Sequence, residues 1–297
     1  MTEHASHLAA EIASQPDDWV AVLGRLDEAR AALPAPGERV AVVGCGTSWF
    51  MAQSYAALRE SAGHGLTDAF AASEAFVDRG YDAIVAITRS GTTTEVLELV
   101  DGVRGTTRTI GLLGAPGTPL VDLVDDVIAL PFADEVSVVQ TRFATTALAF
   151  LRASLGEDLD PVIVDAAYAL SADLDELLLT ADQYSFLGTG WTVGIAHEAA
   201  LKMREASQAW TESYPAKEYR HGPIAIAAPG RVTWVFGTPP GGLYDEVAAT
   251  GAHFEHRTID GMADLVRAQR VALERARSAG LDPDAPRNLT RSVILDS

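Results

Sequence analysis

Residues 40–48 of the chain read VAVVGCGTS. The short β-branched run at residues 40–43 predicts a buried strand, and the glycine-containing turn after it leads into a helix-favouring stretch, residues 49–60. Strand, glycine turn and helix form one βα unit. Such units are typical of parallel sheets, so these residues already favour an α/β fold.

The same order recurs further along the chain. A second apolar run, residues 82–87, leads into TRSGTTT at 88–94 and then into a helix-periodic segment, residues 95–103. Further candidate elements are strands at 107–113 and 126–130 with a short helical pattern at 119–124 between them. This alternation predicts a parallel sheet with helices on both faces.

The second half of the chain repeats this pattern. A helix rich in Ala and Leu follows Pro161, and a candidate strand at 184–187 feeds the turn Gly188-Thr189-Gly190. Another strand is predicted at 231–236. The two G-x-G turns, at residues 44 and 188, are about one domain length apart. We therefore predict an internal duplication.

Composition and charge exclude several classes of function. The 297 residues are 48% hydrophobic and 21% charged, values typical of globular domains, and 41 acidic against 22 basic side chains give a net charge of −19. An anionic surface repels nucleic acid and anionic lipid, so we expect neither partner. No apolar run approaches the roughly 20 residues that a membrane span needs.

Cysteine usage and the N-terminus indicate the compartment. The single cysteine, Cys45, cannot form an internal disulfide or a thiolate metal cluster, and it is interpreted as a small packing residue. Residues 1–18 lack the basic start and apolar run of a signal peptide. We expect a cytoplasmic protein that uses no metal and no cofactor.

The segment TRSGTT at residues 88–93 has the composition of an anion site. Its hydroxyls and backbone N–H groups fall where a parallel strand ends and a helix begins, which suits phosphate oxygens. An ordinary helix N-cap is the alternative for any one Ser or Thr. The polar turn at 44–48 is a second such segment, and the two are expected to converge at a switch point of the sheet.

A second group of polar residues lies on the predicted helix at residues 197–206. Glu198, Lys202 and Glu205 fall at i, i+4 and i+7 and therefore share one face. The alternative is a solvated, ion-paired face beside a core-facing stripe that runs on to Trp210. The polar loop after the helix ends in His221-Gly222-Pro223, which makes His221 an acid/base candidate.

Taken together, these segments resemble the sugar isomerase (SIS) domain family, specifically the isomerase half of glutamine-dependent glucosamine-6-phosphate synthase and stand-alone SIS glucosamine-6-phosphate deaminases. The resemblance covers almost the whole chain. It rests on GCGTS at 44–48, TRSGTT at 88–93, EVSVVQTR at 135–142, HEAALKMRE at 197–205, HGP at 221–223 and PRNLTRSV at 286–293.

The resemblance implies a fold and a division of the chain. We expect two SIS subdomains, at residues 1–160 and 161–285, each a flavodoxin-like parallel sheet in a three-layer α/β/α sandwich. A C-terminal tail, residues 286–297, would lie over the active site. The resemblance also implies a homodimer with active sites close to the subunit interface and a small-molecule sugar phosphate as the partner.

The resemblance further implies roles for individual residues. Glu205 would move a proton between C1 and C2, Lys202 would be able to form an imine with the open ketose, Glu198 would assist ring opening and proton relay, and His221 would open the ring. Contacts to the sugar phosphate would come from Thr47, Ser48, Thr88, Arg89, Ser90, Thr93, Val138, Gln140 and the tail residue Arg291.

Two departures from the synthase pattern affect the predicted activity. The chain begins without a cysteine nucleophile, so we expect no glutaminase activity. Arg291 stands where the synthase has lysine, and Thr88 and Arg89 replace Ser and Gln in the phosphate loop. Arginine keeps the charge of lysine but not its point geometry. These changes are closer to the stand-alone deaminases and isomerases.

The expected function is therefore a sugar phosphate isomerase or deaminase that interconverts glucosamine 6-phosphate and fructose 6-phosphate. A deglycase that cleaves an amine-linked fructose 6-phosphate is an alternative. A non-catalytic sugar phosphate sensor is another, but sensors usually carry a helix-turn-helix partner. The chain has no basic DNA-reading segment and retains Glu205, Lys202 and His221, which favours an enzyme.

Overall fold

The computed structural model describes residues 6–295. The start of the predicted N-terminal segment and the last two tail residues lie outside this range. The chain divides into two compact units. The described part of the first unit comprises residues 17–159 and 288–295, and that of the second comprises residues 6–16 and 160–287. Across residues 6–295, no helix combines the length and apolarity needed to cross a membrane.

The first unit alternates strands and helices. The chain opens with helix α1, His7–Leu23, whose residues up to Pro16 belong to the second unit. The elements that follow are α2 Leu26–Ala29, β1 Val40–Gly44, α3 Thr47–Ser61, β2 Thr67–Ala71, β3 Ala83–Thr88, α4 Thr94–Gly102, β4 Arg108–Leu113, β5 Asp126–Ala129 and α5 Arg142–Ser154.

Five parallel strands form the sheet of the first unit, in the order β2-β1-β3-β4-β5. This is the flavodoxin-like order. From the centre the chain moves outward first through α3 to β2 and then through α4 to β4. Because parallel crossovers are right-handed, the two helices cover opposite faces of the sheet. The switch point lies between β1 and β3, as the sequence predicts.

The buried strands explain why the sequence signal is strong in the centre of this sheet and weak at its edge. Every residue of β1 and β3 is buried, which requires the unbroken apolar runs seen there. The edge strand β2 reads TDAFA and is mostly half-buried, so it lacks such a run and was not predicted.

The second unit repeats the arrangement with four strands, in the order β7-β6-β8-β9. Its elements are α6 Asp160–Ser171, α7 Glu176–Thr180, β6 Gln183–Gly188, α8 Thr192–Ser207, β7 Trp210–Pro215, β8 Arg231–Phe236, α9 Leu243–Ala249, β9 His253–His256 and α10 Gly261–Ser278. Helix α10 packs against α8 and α6. The shared strand order confirms the predicted α/β fold with two related parallel sheets.

A buried charged network joins a helix and two strands of the second unit. The Asp264 carboxylate accepts hydrogen bonds from the Trp234 indole at 2.9 Å and from the Arg267 guanidinium at 2.7 Å. Arg267 also donates to Glu255 at 2.7 Å. Burial raises the pKa of Asp264 to about 6, against the opposing effect of Arg267. The network therefore fixes α10 to β8 and β9 through charged side chains removed from solvent.

Two sequence-based expectations differ from the structure. Residues 6–16 pack with the second unit, where the Gln15 side chain donates to Gln269 at 2.7 Å and the backbone N–H of Leu8 donates to Asp284 at 2.7 Å. Long-range contacts of this kind leave no local signal. The predicted stripe ending in Trp210 is wrong, because Gln208 adopts a left-handed φ of 56°, the helix ends, and Trp210 is 73% exposed on β7.

Gly188 allows α8 to begin directly after β6. A Cβ atom at this position would lie 2.1 Å from the backbone oxygen of Thr192. We expect Gly188→Ala to lower the stability of the second unit by at least about 2 kcal/mol, because backbone must shift to admit the methyl group. The urea midpoint followed by circular dichroism measures this. Gly241→Ala, where nothing lies within 4 Å, is the control. Equal midpoints for the two variants would contradict the explanation.

Candidate functional site

The Ser/Thr loop, residues 88–93, connects β3 to α4 in the first unit. Its side chains and backbone hydrogen-bond one another. The backbone N–H of Gly91 donates to the Thr88 hydroxyl at 3.3 Å, and that of Thr92 donates to the Ser90 hydroxyl at 3.2 Å. Gly91 has a φ of +63°, and a Cβ atom there would lie 2.0 Å from the Thr118 hydroxyl, so the turn requires glycine. The loop is a compact, hydroxyl-rich turn.

The second polar turn lies at the end of the neighbouring strand. Thr47 and Ser48 begin α3 directly after β1, and both side chains are buried. Because β1 and β3 are adjacent and parallel, both polar turns lie at the carboxyl edge of the sheet, on either side of the switch point. Parallel α/β sheets bind ligands at this edge. The structure therefore brings the two predicted phosphate-binding segments together.

Cys45 lies in the same turn but is not suited to be a nucleophile. Its side chain packs against the apolar cluster beneath the sheet. Burial raises the pKa of the Cys45 thiol to about 11, and the nearby Glu95 carboxylate adds to the effect. A reactive cysteine needs a lowered pKa. This environment agrees with the interpretation of Cys45 as a packing residue.

Arg89 forms hydrogen bonds within the protein rather than presenting its guanidinium to an open space. Its two terminal nitrogens donate to the carbonyl oxygens of Ser137 at 3.0 Å, Val138 at 3.3 Å and Arg291 at 2.8 Å. The Glu135 carboxylate lies 3.7 Å away. Arg89 therefore ties the Ser/Thr loop to two other segments of the first unit, and its direct contact with a ligand stays a prediction.

Residues 135–142, the EVSVVQTR segment, contain the carboxylate and carbonyl groups that contact Arg89. The buried Glu135 carboxylate accepts hydrogen bonds from the backbone of Thr141 at 2.5 Å and of Arg142 at 2.8 Å, at the start of α5. Gln140 is buried beside this turn and Val138 is half-buried. Glu135 thus holds the segment in place while the Val138 carbonyl accepts from Arg89, and ligand contacts of Val138 and Gln140 stay predictions.

The tail, residues 288–295, belongs to the same unit as the Ser/Thr loop. The Arg291 guanidinium pairs with the Asp134 carboxylate and donates to the carbonyl of Glu135 at 3.3 Å. The Ser292 hydroxyl accepts hydrogen bonds from the hydroxyls of Ser90 at 3.1 Å and Thr92 at 2.9 Å. The tail therefore lies over the loop that sequence analysis identified as the phosphate site.

The second unit contains a charged cluster on α8. The Lys202 ammonium lies 2.5 Å from the Glu205 carboxylate and 3.5 Å from that of Glu198. The Glu198 and Lys202 side chains are 0% and 2% exposed, whereas that of Glu205 is 18% exposed. The three residues share a face as predicted, but the alternative of a solvated face is wrong for Glu198 and Lys202. Glu205 is the most exposed member of the cluster.

A neighbouring pair on the same helix contacts the edge strand β7. The Nδ1 atom of His197 lies 2.8 Å from the Ser213 hydroxyl, and the Arg204 guanidinium donates to the Thr211 hydroxyl at 2.9 Å. Burial lowers the pKa of His197, and the positive charge of Arg204 lowers it further. His197 therefore favours the neutral imidazole and fixes α8 against β7.

His221 occupies a more open position. It ends a short 3₁₀ turn, Glu218–His221, and is exposed. Gly222 follows with a φ of 131°, and Pro223 begins the next turn, so the chain direction after His221 is fixed by these two residues. Over residues 6–295, no hydrogen bond or ion pair joins His221 to the charged cluster of α8. Its role in ring opening stays a prediction.

Comparison with curated proteins gives distant relatives over nearly the whole chain. The chain is 25% identical to a glutamine–fructose-6-phosphate aminotransferase (isomerizing) of Pyrobaculum aerophilum over 344 residues, covering 96% of this chain and 57% of that protein. It is 27% identical to the corresponding Thermus thermophilus protein, covering 98% and 59%. The chain thus spans somewhat over half of these relatives. No protein-family model matches the chain.

Solved structures share the fold. A glucosamine-6-phosphate deaminase of Thermotoga maritima superposes with a TM-score of 0.82 at 23% identity, covering 98% of this chain and 100% of that one. The C-terminal domain of glucosamine-fructose-6-phosphate aminotransferase from Francisella tularensis gives 0.81 at 21% identity, covering 96% and 99%. The chain therefore has the fold of these structures, with two parallel α/β units in tandem. This confirms the resemblance and the predicted tandem subdomain architecture.

Sequence reasoning missed two groups of contacts in this protein. Ser292 was not assigned a role, because nothing near it in sequence shows that the Ser90 and Thr92 hydroxyls bond to it. Its position in the resembling tail segment was the available signal. The pair His197 and Ser213 was also missed, since the two residues join a helix to the following strand and share no recognisable motif.

The lowered pKa of His197 predicts a pH dependence of stability. At a pH between the lowered pKa of His197 in the folded chain and its ordinary pKa of about 6.5, the unfolded chain binds the proton more readily than the folded chain. The contribution of His197 to the free energy of unfolding is therefore fully present above about pH 6.5, and it decreases as the pH falls below that value.

The urea midpoint, measured at about pH 7.5 and about pH 5.5, tests this dependence. We expect the wild type to lose more stability on acidification than His197→Gln, because glutamine does not titrate. Other groups titrate alike in both proteins. An equal loss in wild type and variant would show that His197 is not the responsible group.

Proposed function

We propose that the protein is a sugar phosphate isomerase or deaminase that acts on an amino-sugar 6-phosphate, converting glucosamine 6-phosphate to fructose 6-phosphate and ammonia or the reverse. The observation that carries the proposal is the cluster on α8, in which a buried lysine lies between a buried and a partly exposed carboxylate. Charged groups are buried at a large free-energy cost, and such groups concentrate at functional sites.

In the proposed reaction, ring opening and proton transfer are carried out by different residues. After ring opening, a base removes the proton on C2 next to the C1 carbonyl, and the proton returns to C1. The C2 imine formed in this way adds water and releases ammonia, leaving the ketose. Glu205 is the proposed base, because its carboxylate is the partly exposed one of the cluster. His221, which is exposed at the end of its turn, is the proposed ring-opening group.

The proposed role of the first unit is to hold the phosphate. The hydroxyls of Ser90 and Thr93 and the N-terminal end of α4 provide neutral donors that suit phosphate oxygens. The names of the aminotransferase and deaminase relatives mention fructose 6-phosphate and glucosamine 6-phosphate, which supports a phosphate site in the first unit. A tagatose-6-phosphate ketose/aldose isomerase of Escherichia coli also has the fold, with a TM-score of 0.78.

Two roles are considered for Lys202. As a nucleophile that forms an imine it needs an uncharged amine, whereas as a fixed cation it stays an ammonium. Carboxylates at 2.5 Å and 3.5 Å stabilise the charged ammonium, which is not a nucleophile. The geometry therefore favours Lys202 as a fixed cation. It would orient Glu205 and stabilise negative charge as the C2 proton is removed.

Binding should depend on the phosphate group. We expect Ser90→Ala combined with Thr93→Ala to weaken the binding of glucosamine 6-phosphate by at least about tenfold, because hydrogen bonds to a charged group are among the strong ones. Isothermal titration calorimetry measures the affinity, and Ser61→Ala, which removes an exposed hydroxyl bonded to its own helix, is the control. Equal affinities of the wild type for glucosamine and its 6-phosphate would refute the phosphate assignment.

Borohydride trapping tests the role of Lys202. Lys202 and Lys217 are the two lysines of the sequence, and Lys217 is exposed. Because two carboxylates within 3.5 Å favour the ammonium form of Lys202, we expect no hexitol phosphate adduct on its peptide when borohydride is added with fructose 6-phosphate. Lys202→Ala should nevertheless lose at least about tenfold in kcat while phosphate affinity is retained.

Mass spectrometry of the peptides gives the readout, and Lys217→Ala controls for surface labelling. An adduct on Lys202 would establish imine formation and contradict the fixed-cation role. Normal turnover by Lys202→Ala would instead remove the lysine from the mechanism.

A further inference from the structure

Four hydroxyl groups converge at the start of α4. The Ser292 hydroxyl of the tail lies 3.1 Å from that of Ser90, 2.9 Å from that of Thr92 and 3.5 Å from that of Thr93. Three of these residues belong to the Ser/Thr loop, and the fourth comes from a segment about 200 residues further along the chain. Hydroxyls are small donors that can reorient about one bond, so such a group suits an anion with several oxygens.

The tail is held in place by contacts that do not involve the Ser292 hydroxyl. The Val293 carbonyl accepts from the backbone N–H of Thr94 at 3.2 Å, and the Leu295 N–H donates to the Thr94 hydroxyl at 2.9 Å. On the other side of Ser292, the Arg291 carbonyl accepts from Arg89 at 2.8 Å. The backbone therefore stays anchored on both sides when the Ser292 hydroxyl changes its partner.

The hydrogen-bond capacity of Ser292 leaves it able to act as a donor. A serine hydroxyl has two acceptor lone pairs and one proton. Ser90 and Thr92 donate to the Ser292 oxygen. Because a hydroxyl rotates about one bond, Ser90 can turn its proton to a phosphate while Thr92 still donates to Ser292. The Ser292 proton is then available to be donated. A phosphate oxygen at the loop is a stronger acceptor for it than the neighbouring Thr93 hydroxyl.

We propose that Ser292 donates a hydrogen bond to the phosphate bound at the Ser/Thr loop, so that the tail supplies one of the hydroxyls of the phosphate site. This deepens the proposed function and rests on it. Arg89 acts as a positioning residue, since it holds the carbonyl of the residue before Ser292. The tail is thus part of the binding site rather than only a cover.

Calorimetry with inorganic phosphate and with fructose 6-phosphate tests the proposal. Four variants are compared with the wild type: Ser292→Ala, Ser292→Thr, Ser90→Ala and the control Ser61→Ala. We expect Ser292→Ala to weaken the binding of both probes by about tenfold, as does Ser90→Ala, because each removes one donor to a charged group. Ser292→Thr, which restores a hydroxyl, should recover most of the affinity, and Ser61→Ala should bind as the wild type does.

The outcomes separate this proposal from the proposed function. If Ser90→Ala weakens binding and Ser292→Ala does not, the loop binds phosphate without the tail serine, and the proposal about Ser292 is wrong. Tighter binding by Ser292→Ala would show that the serine blocks the site, which also overturns it. If the wild type binds neither probe, the phosphate site and with it the proposed function fail. Circular dichroism confirms that each variant is folded.

Discussion

The ion-paired cluster on α8 is the interaction on which the functional interpretation depends. Lys202 and Glu198 are withdrawn from water, and their charges are balanced within a single turn of helix. A buried ion pair is weak evidence for stability, because apolar residues of similar volume pack as well without the desolvation cost. Its presence on a helix with a partly exposed third member, Glu205, supports the proposed proton transfer, which needs a carboxylate in a controlled environment.

A second constraint acts in the first unit, where Arg89 joins three segments. Its guanidinium binds the carbonyls of Ser137 and Val138 and that of Arg291, and so connects the Ser/Thr loop with the EVSVVQTR segment and the tail. Arginine suits this task because its planar group presents several donors in fixed directions. Arg89, which replaces a glutamine of the synthase pattern, therefore has a structural role and is one of several residues that hold the tail.

Much of the fold could be predicted from sequence because its central strands are buried on both faces. The runs that became β1 and β3 are apolar up to their ends, and β8 is apolar except for Arg231 and Thr233. The turns after β1 and β6 carry the glycines that close helix–strand packing requires. The edge strands β2, β7 and β9 were not predicted, since partly exposed strands tolerate polar residues and lose the apolar run. Local patterns therefore identify the centre of each sheet better than its edges.

The candidate site was predictable where its residues lie close in sequence. Glu198, Lys202 and Glu205 follow helical spacing, so their shared face could be derived, whereas their burial depends on packing that sequence does not reveal. Contacts such as that between Ser292 and Thr92 join distant segments, and only the folded chain shows them. The substrate contacts assigned through the family resemblance depend on a bound ligand and stay predictions.

Proton exchange with solvent tests the central claim, that Glu205 moves a proton at the sugar carbon, most directly. The protein is incubated in deuterium oxide with glucosamine 6-phosphate and, separately, with fructose 6-phosphate, and the recovered sugars are examined by NMR and mass spectrometry. The account predicts deuterium at C1 or C2 with the wild type and none with Glu205→Gln, while both proteins bind the sugar phosphate. A wild-type protein that binds these sugars and leaves them unlabelled and unconverted would contradict it, and would identify a binding module instead of an enzyme.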